Sequence, residues 1–141
     1  MQQRARWEQG GEAMASVLVI EDNELNMKQV IMLLQNVGHT ALSAVDAETG
    51  VALARSGKPE LILMDIRLPG MDGLEATALL KKDPGTAAIP IIAVTAMVMR
   101  DDRERAVAAG CDAYIAKPFR YLELYAAIDS FLPGRGPQRG A

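Results

Sequence analysis

Three stretches of this chain are apolar with almost no interruption: Val17-Leu18-Val19-Ile20, Leu61-Ile62-Leu63-Met64, and residues 89–94, where Pro90 stands near the start. Short runs without polar alternation predict strands buried on both faces of a sheet. Residues 40–45 and Ala113-Tyr114-Ile115 mix polar and apolar side chains, as edge strands do. A helix is predicted after each strand. Asp22 or Asn23 can cap the first, in which Met27, Val30, Ile31 and Leu34 follow the i, i+3, i+4, i+7 spacing and Gly38 ends the pattern. Leu25 and Met32 fall on the opposite face of that helix, where they form a candidate docking patch. Asp46 caps a second helix expected to run to Ser56 and close at Gly57. The third covers residues 74–82 and breaks at Asp83-Pro84-Gly85. Residues 100–109 are charged, with a thin apolar stripe that predicts a loosely anchored helix ending at Gly110. The last helix gathers Tyr121, Leu124, Tyr125, Ile128, Phe131 and Leu132 on one face.

Five β-α repeats imply a parallel sheet covered by helices on both sides. Placing the three apolar strands at the centre gives the order 2-1-3-4-5, the doubly wound, flavodoxin-like arrangement, and sets the first and third strands side by side. With 141 residues, half of them hydrophobic, one domain with an unstapled core is expected. Residues 1–15 are polar with no sustained period and read as a flexible extension; residues 133–141 are a Gly/Pro/Arg tail.

A net charge of −3 argues against a nucleic-acid groove or an anionic membrane surface, since either calls for clustered Lys and Arg. Cys111, the single cysteine, forms no internal disulfide and reads as a small core residue, while His39 has no acidic or cysteine neighbour in sequence and reads as structural. No apolar run reaches the length of a spanning helix and residues 1–15 lack a signal-peptide core, so a cytoplasmic location is expected. Beyond Leu132 nine residues remain, too few for a DNA reader, which predicts output through protein contacts.

The chemistry sits where the strands end. Glu21-Asp22 closes the first strand, Asp65 the third, Thr95 the fourth, and Lys117-Pro118 follows the fifth. Each has an ordinary alternative: helix cap, turn cap, strand end, turn. In the 2-1-3-4-5 order, however, all five polar residues meet at one carboxyl edge, where open parallel sheets bind ligands. Three carboxylates in one cleft repel unless a cation sits between them, and an all-oxygen set with open positions suits Mg²⁺. A nearby lysine stabilises the oxygens of a phosphoryl group in flight, and Thr95 can donate to the same group. Asp65 is then the natural phosphoryl acceptor.

The pieces VLVIEDNE, LILMDIRLPGMDG, AVTA and AYIAKPF, in this order and spacing, resemble the receiver domain of two-component response regulators over residues 16–132. The stretches EDNELNMK, LILMDIRLPGMDG and GCDAYIAKP look most like single-domain regulators of the DivK type, though similar strings occur in receiver modules of hybrid histidine kinases. The resemblance implies phosphorylation on Asp65, direct Mg²⁺ ligation by Asp22, Asp65 and the Arg67 carbonyl, and a water-mediated ligand in Glu21, where most relatives carry Asp. It also implies a phosphate-binding Lys117, a Thr95–Tyr114 switch pair and a cis bond before Pro118. The implied donor is a histidine kinase or histidine phosphotransfer protein, the protein itself being a non-enzymatic switch, monomeric or weakly dimeric, whose fourth helix, last strand and last helix carry the response. Arg67 and Met97, each two residues beyond a site residue, are expected to flank the path of hydrolytic water; neither is a water-positioning acid or amide, which predicts a slow loss of phosphate.

Other classes fit less well. A haloacid-dehalogenase phosphatase needs a second Asp where Arg67 stands, and Glu21-Asp22 would repel the phosphate of a flavin. A receiver-like scaffold that works without phosphorylation is the remaining rival.

Overall fold

The computed structural model describes residues 15–96 and 100–132; the expectations for residues 1–14, for Met97 and for the tail 133–141 lie outside the described residues. Five strands and five helices alternate: β1 (Ser16–Ile20), α1 (Glu24–Asn36), β2 (Thr40–Ala44), α2 (Ala47–Gly57), β3 (Leu61–Met64), α3 (Gly73–Lys82), β4 (Ile91–Ala96), α4 (Asp102–Ala109), β5 (Ala113–Lys117) and α5 (Tyr121–Phe131). All pairings are parallel and the order is β2-β1-β3-β4-β5. The uninterrupted apolar strands do lie at the centre, because only central strands are covered on both faces.

Alternate strand residues feed opposite layers, as the two-residue repeat requires. Val17, Val19, Leu61, Leu63, Ile92 and Val94 pack with α1 and α5, through Met27, Val30, Leu33, Leu34, Leu124 and Ile128. Leu18, Ile20, Ile62, Met64, Ile91 and Ala93 pack with α2, α3 and α4. Register brings Ile20 opposite Met64, so the chain leaves β1 and β3 side by side just before Glu21 and Asp65.

Several boundaries differ from the sequence expectation. The second helix includes Gly57, and Lys58, at φ 46°, takes the left-handed position expected of the glycine. Its ammonium reaches the Gly85 carbonyl at 3.1 Å, tying that turn to the loop after α3. The fourth strand starts at Ile91 rather than Ile89, since Pro90 has no N–H for the ladder; its carbonyl still accepts from Ile62 N at 3.0 Å. The fourth helix starts at Asp102, two residues late. Tyr121 is exposed rather than part of the buried α5 face, its ring edge-on to Tyr125 with centroids 5.9 Å apart.

Leu25 and Met32 are exposed on α1, at 76% and 53%. His39 is buried and its Nδ1 accepts from the Ala15 amide at 3.3 Å. Cys111 is buried beside the Thr77 hydroxyl, and burial pushes its thiol pKa up. Among the described residues no helix is long and apolar enough to cross a membrane.

Candidate functional site: an acidic cleft at the carboxyl edge of the sheet

Asp65 is the first residue past β3, and its amide still donates to the Ile20 carbonyl at 3.0 Å, so the sheet ladder fixes its main chain. Its side chain is buried and held from three sides. Oδ1 accepts from the Thr95 hydroxyl at 2.6 Å and from the Arg67 amide at 2.9 Å, while Oδ2 accepts from Lys117 Nζ at 3.3 Å. Lys117 also donates to Glu21 Oε1 at 2.6 Å, and Glu21 Oε2 accepts from the Asn23 amide at 3.1 Å. Burial raises the Glu21 carboxyl above its ordinary value, with the Lys117 hydrogen bond pulling the other way and the Asp65 charge adding to the rise.

Asp22 is exposed, yet carboxylate oxygens of Glu21, Asp22 and Asp65 all lie within 4.8 Å of one another. Three oxygen donors that close, with one face open to water, form a donor set suited to a small hard cation such as Mg²⁺. Glu21, Asp22, Asp65, Thr95 and Lys117 thus meet at one place. Thr95 arrives there on β4, opposite Ala116, and Lys117 ends β5 opposite Ala96. The Lys117–Pro118 peptide is cis. Beside Lys117 a cleft of about 390 Å³ opens between Asn26, Gln29 and Val30 of α1 and Phe119.

The loop after Asp65 is shaped by Gly73. A Cβ there would stand 2.5 Å from the Asp65 carbonyl oxygen and the Ile66 Cα, so α3 can start this close to the site only without a side chain. A capping box between Asp72 and Glu75 fixes that start, each side chain accepting from the other's amide.

Tyr114 lies on β5 and is buried; burial raises its hydroxyl pKa, and the hydroxyl has no hydrogen-bond partner among the described residues. The Arg103 guanidinium sits 5.0 Å from its ring centroid. Leu25 and Met32 stand on the exposed side of α1.

A long-range contact also ties the loop after Asp65 to α4. Arg67 Nη2 donates to both oxygens of Asp102, at 2.6 and 2.7 Å, and Asp102 is fully buried at the start of α4. That bond raises the Arg67 pKa further above its ordinary value. Asp101 and Asp102 look alike in a charged stretch, and the pair spans 35 residues, so no local pattern marks it.

The chain belongs to the response regulator receiver domains, whose family model matches residues 17–129. It is 44% identical over 117 residues to the polar-differentiation response regulator DivK of Brucella anthropi and to that of Brucella ovis, covering 83% of this chain and 95% of each relative. Among solved structures it is similar to the receiver domain of the sensor histidine kinase PA1611 from Pseudomonas aeruginosa. That protein has a magnesium ion coordinated in its active-site cleft; the TM-score is 0.80 and the identity 33%, over 85% of this chain and 98% of that one. The chemotaxis protein CheY4 of Vibrio cholerae is similar too, with a TM-score of 0.79 and 25% identity over 85% of this chain and all of that one. The protein is therefore a two-component signalling receiver, similar to DivK, in a family where aspartyl phosphorylation and Mg²⁺ binding are general.

Proposed function

We propose that this receiver takes a phosphoryl group from a phosphohistidine donor onto Asp65, with Mg²⁺ bound, and thereby alters the α4-β5-α5 face that meets its protein targets. The observation that carries this reading is the set of contacts on Asp65: a hydroxyl and an amide on Oδ1, and an ammonium on Oδ2, in a cleft with two further carboxylates. Bound by Asp22, Asp65 and the Arg67 carbonyl, and by Glu21 through water, Mg²⁺ would supply charge neutralisation for the incoming phosphoryl group.

An Asp65 oxygen forms the new O–P bond as the donor's N–P bond breaks, and the imidazole keeps the electron pair and takes up a proton. Oδ2 is the less encumbered oxygen, since its contact from Lys117 is long while Oδ1 carries two short ones. Lys117 then faces the new phosphoryl oxygens, and the Thr95 hydroxyl exchanges its carboxylate partner for one of them. Tyr114, buried next to α4, carries the change towards the surface. A histidine kinase or histidine phosphotransfer protein reaches Asp65 along the cleft beside α1, with exposed Leu25 and Met32 available as contacts. The protein acts as a cytoplasmic monomer or weak dimer, without nucleic acid or membrane as a partner.

Intact mass after incubation with Mg²⁺ and acetyl phosphate tests the reading, beside an Asp65→Asn variant and an EDTA control. One phosphoryl increment, absent from both controls, is expected. No increment from acetyl phosphate or from a phosphohistidine donor, with Mg²⁺ still bound in a titration, would instead make the protein a scaffold that works without phosphorylation. The lifetime reading of Arg67 and Met97 has its own check. Met97→Glu supplies a water-positioning acid, so decay of the phosphorylated form should quicken; unchanged decay would remove Met97 from the account.

A further inference from the structure

His39 stands where α1, β1 and α5 meet, at the amino edge of the sheet and so at the end remote from Asp65. Its amide donates to the Leu34 carbonyl at 3.0 Å, which pins its backbone to the last turn of α1. The residue shares a cavity of about 40 Å³ with Val37 and with Tyr125, Ile128 and Asp129 of α5. Nδ1 accepts from the Ala15 amide at 3.3 Å, and both residues are buried, at 5% and 1% exposed. Ala15 leads directly into β1, and its carbonyl accepts from the Thr40 amide at 2.9 Å. The joint between β1 and β2 is thus closed on one side by a backbone bond and on the other by an imidazole.

We propose that His39 is a pH-sensitive latch on the entry to β1: neutral, it holds the Ala15 amide, and protonated, it releases that amide so that the start of the strand loosens. The latch does not depend on the reading of Asp65. A neutral imidazole whose Nδ1 accepts carries its proton on Nε2, and a second proton turns Nδ1 into a donor. Two N–H groups then face each other and the bond is lost. A buried amide deprived of its acceptor is unfavourable where it stands, and the relief is to move towards water. Histidine is the side chain whose ordinary titration falls between about pH 5 and pH 8, so the event lies in a range the fold itself withstands.

The surroundings favour uptake of the proton. From α5, Tyr125 and Asp129 face the cavity. The Tyr125 hydroxyl donates to the Leu33 carbonyl at 2.7 Å and burial raises its pKa, so it stays neutral throughout the range. Asp129 supplies a carboxylate, which favours a charged imidazole. The last turn of α1 holds no basic residue, and neither β1 nor β2 contains a titratable side chain. Just before β3, on the far side of β1, Glu60 donates its amide to the Ser16 carbonyl at 2.8 Å and adds a second acidic group to this end of the sheet. The cavity has room for a water molecule to reach the charged ring.

An NMR titration of the full chain from about pH 8 to about pH 5 tests the latch, following the His39 ring signals and hydrogen exchange at the Ala15 amide. Exchange is read as protection relative to an unstructured amide at the same pH, which removes its ordinary pH dependence. In the wild type, Ala15 protection should fall about tenfold across the titration of the ring, with the same midpoint. The Asp65 amide, bonded to the Ile20 carbonyl at the other edge, should keep its protection. His39→Asn puts an amide oxygen in place of Nδ1 that accepts at every pH, so Ala15 protection should vary by less than about twofold. Asp129→Asn keeps the ring but removes the carboxylate, and should move both midpoints together to lower pH. Unchanged Ala15 protection while the ring titrates would overturn the proposal, as would a ring that stays neutral over the whole range. An equal fall in His39→Asn would do the same, since the loss would then not come from the imidazole.

Discussion

Helices α1 and α4 both begin near the carboxyl edge of the sheet, pack on its opposite faces, and are held there by different means. α1 has 13 residues, a neutral cap in which Asn23 Oδ1 accepts from the Asn26 amide at 2.9 Å, and a buried stripe of Met27, Val30, Leu33 and Leu34. Tyr125 on α5 adds a hydrogen bond to the Leu33 carbonyl at 2.7 Å. α4 has no apolar stripe worth the name; it buries an alanine and a carboxylate, and the carboxylate is paired with a residue of the Asp65 loop. Apolar burial does not respond to charge at Asp65, whereas an ion pair with a neighbour of Asp65 does. The buried face of α1 is therefore wholly apolar, while that of α4 includes a paired carboxylate.

Truncation should expose the difference. Leu34 has no exposed surface, and Leu34→Ala is expected to lower the unfolding free energy by about 2–5 kcal/mol through lost burial and the cavity left behind. On α4 the comparable position is Ala106, where Ala106→Gly should cost only about 1 kcal/mol, chiefly backbone entropy. Urea unfolding of the two variants measures both. Equal losses would break the comparison, because α4 would then be as firmly part of the core as α1. A loss confined to Leu34→Ala, with α4 exchange faster in Ala106→Gly at unchanged global stability, would sharpen it by showing that α4 opens separately from the rest.

What could be read from the chain follows the range of the interactions involved. The central strands were legible because Val17 to Ile20, Leu61 to Met64 and Ile91 to Val94 are apolar throughout, and burial on both faces leaves that mark on consecutive residues. The meeting of Glu21, Asp22, Asp65, Thr95 and Lys117 was legible for a related reason: each sits at a strand end, so strand order alone brings them together. Local steric rules explain the small errors. Gly57 looked like the left-handed residue after α2, but the helix keeps one more residue and Lys58 takes that conformation, tied to the Gly85 carbonyl. Pro90 looked like part of a strand because its neighbours are apolar, and the missing N–H moves the start to Ile91. The Arg67–Asp102 pair left no mark at all. Nothing in a run of Asp101-Asp102-Arg103-Glu104-Arg105 says which acid will be buried, since that depends on where β3 and α4 end up in space.

The smallest expected effect concerns a third kind of anchor, at the start of α2. Asp46 Oδ1 accepts from the Thr49 amide at 2.7 Å, and this bond holds the carboxyl below its ordinary value of 3.8. A depressed carboxyl contributes stability that is present above its unfolded pKa and is lost as the pH falls through the folded one. Asp46→Asn keeps an oxygen to accept from Thr49 but removes the charge, and the charge also favours the helix N-terminus. At neutral pH the variant should therefore melt slightly below the wild type, and the gap should close as the pH drops past 3.8. Thermal melts of both proteins from pH 7 down to the acid limit of folding check this, since all other titrating groups are common to the pair. A gap that persists below that range would mean the substitution had harmed the cap geometry rather than removed a charge. A gap that closes would place α2 between the other two helices: held by charge, like α4, but by a charge that faces water and bonds only its own helix. Such an anchor stays within α2, whereas Asp102 ties α4 to Arg67 of the loop after Asp65.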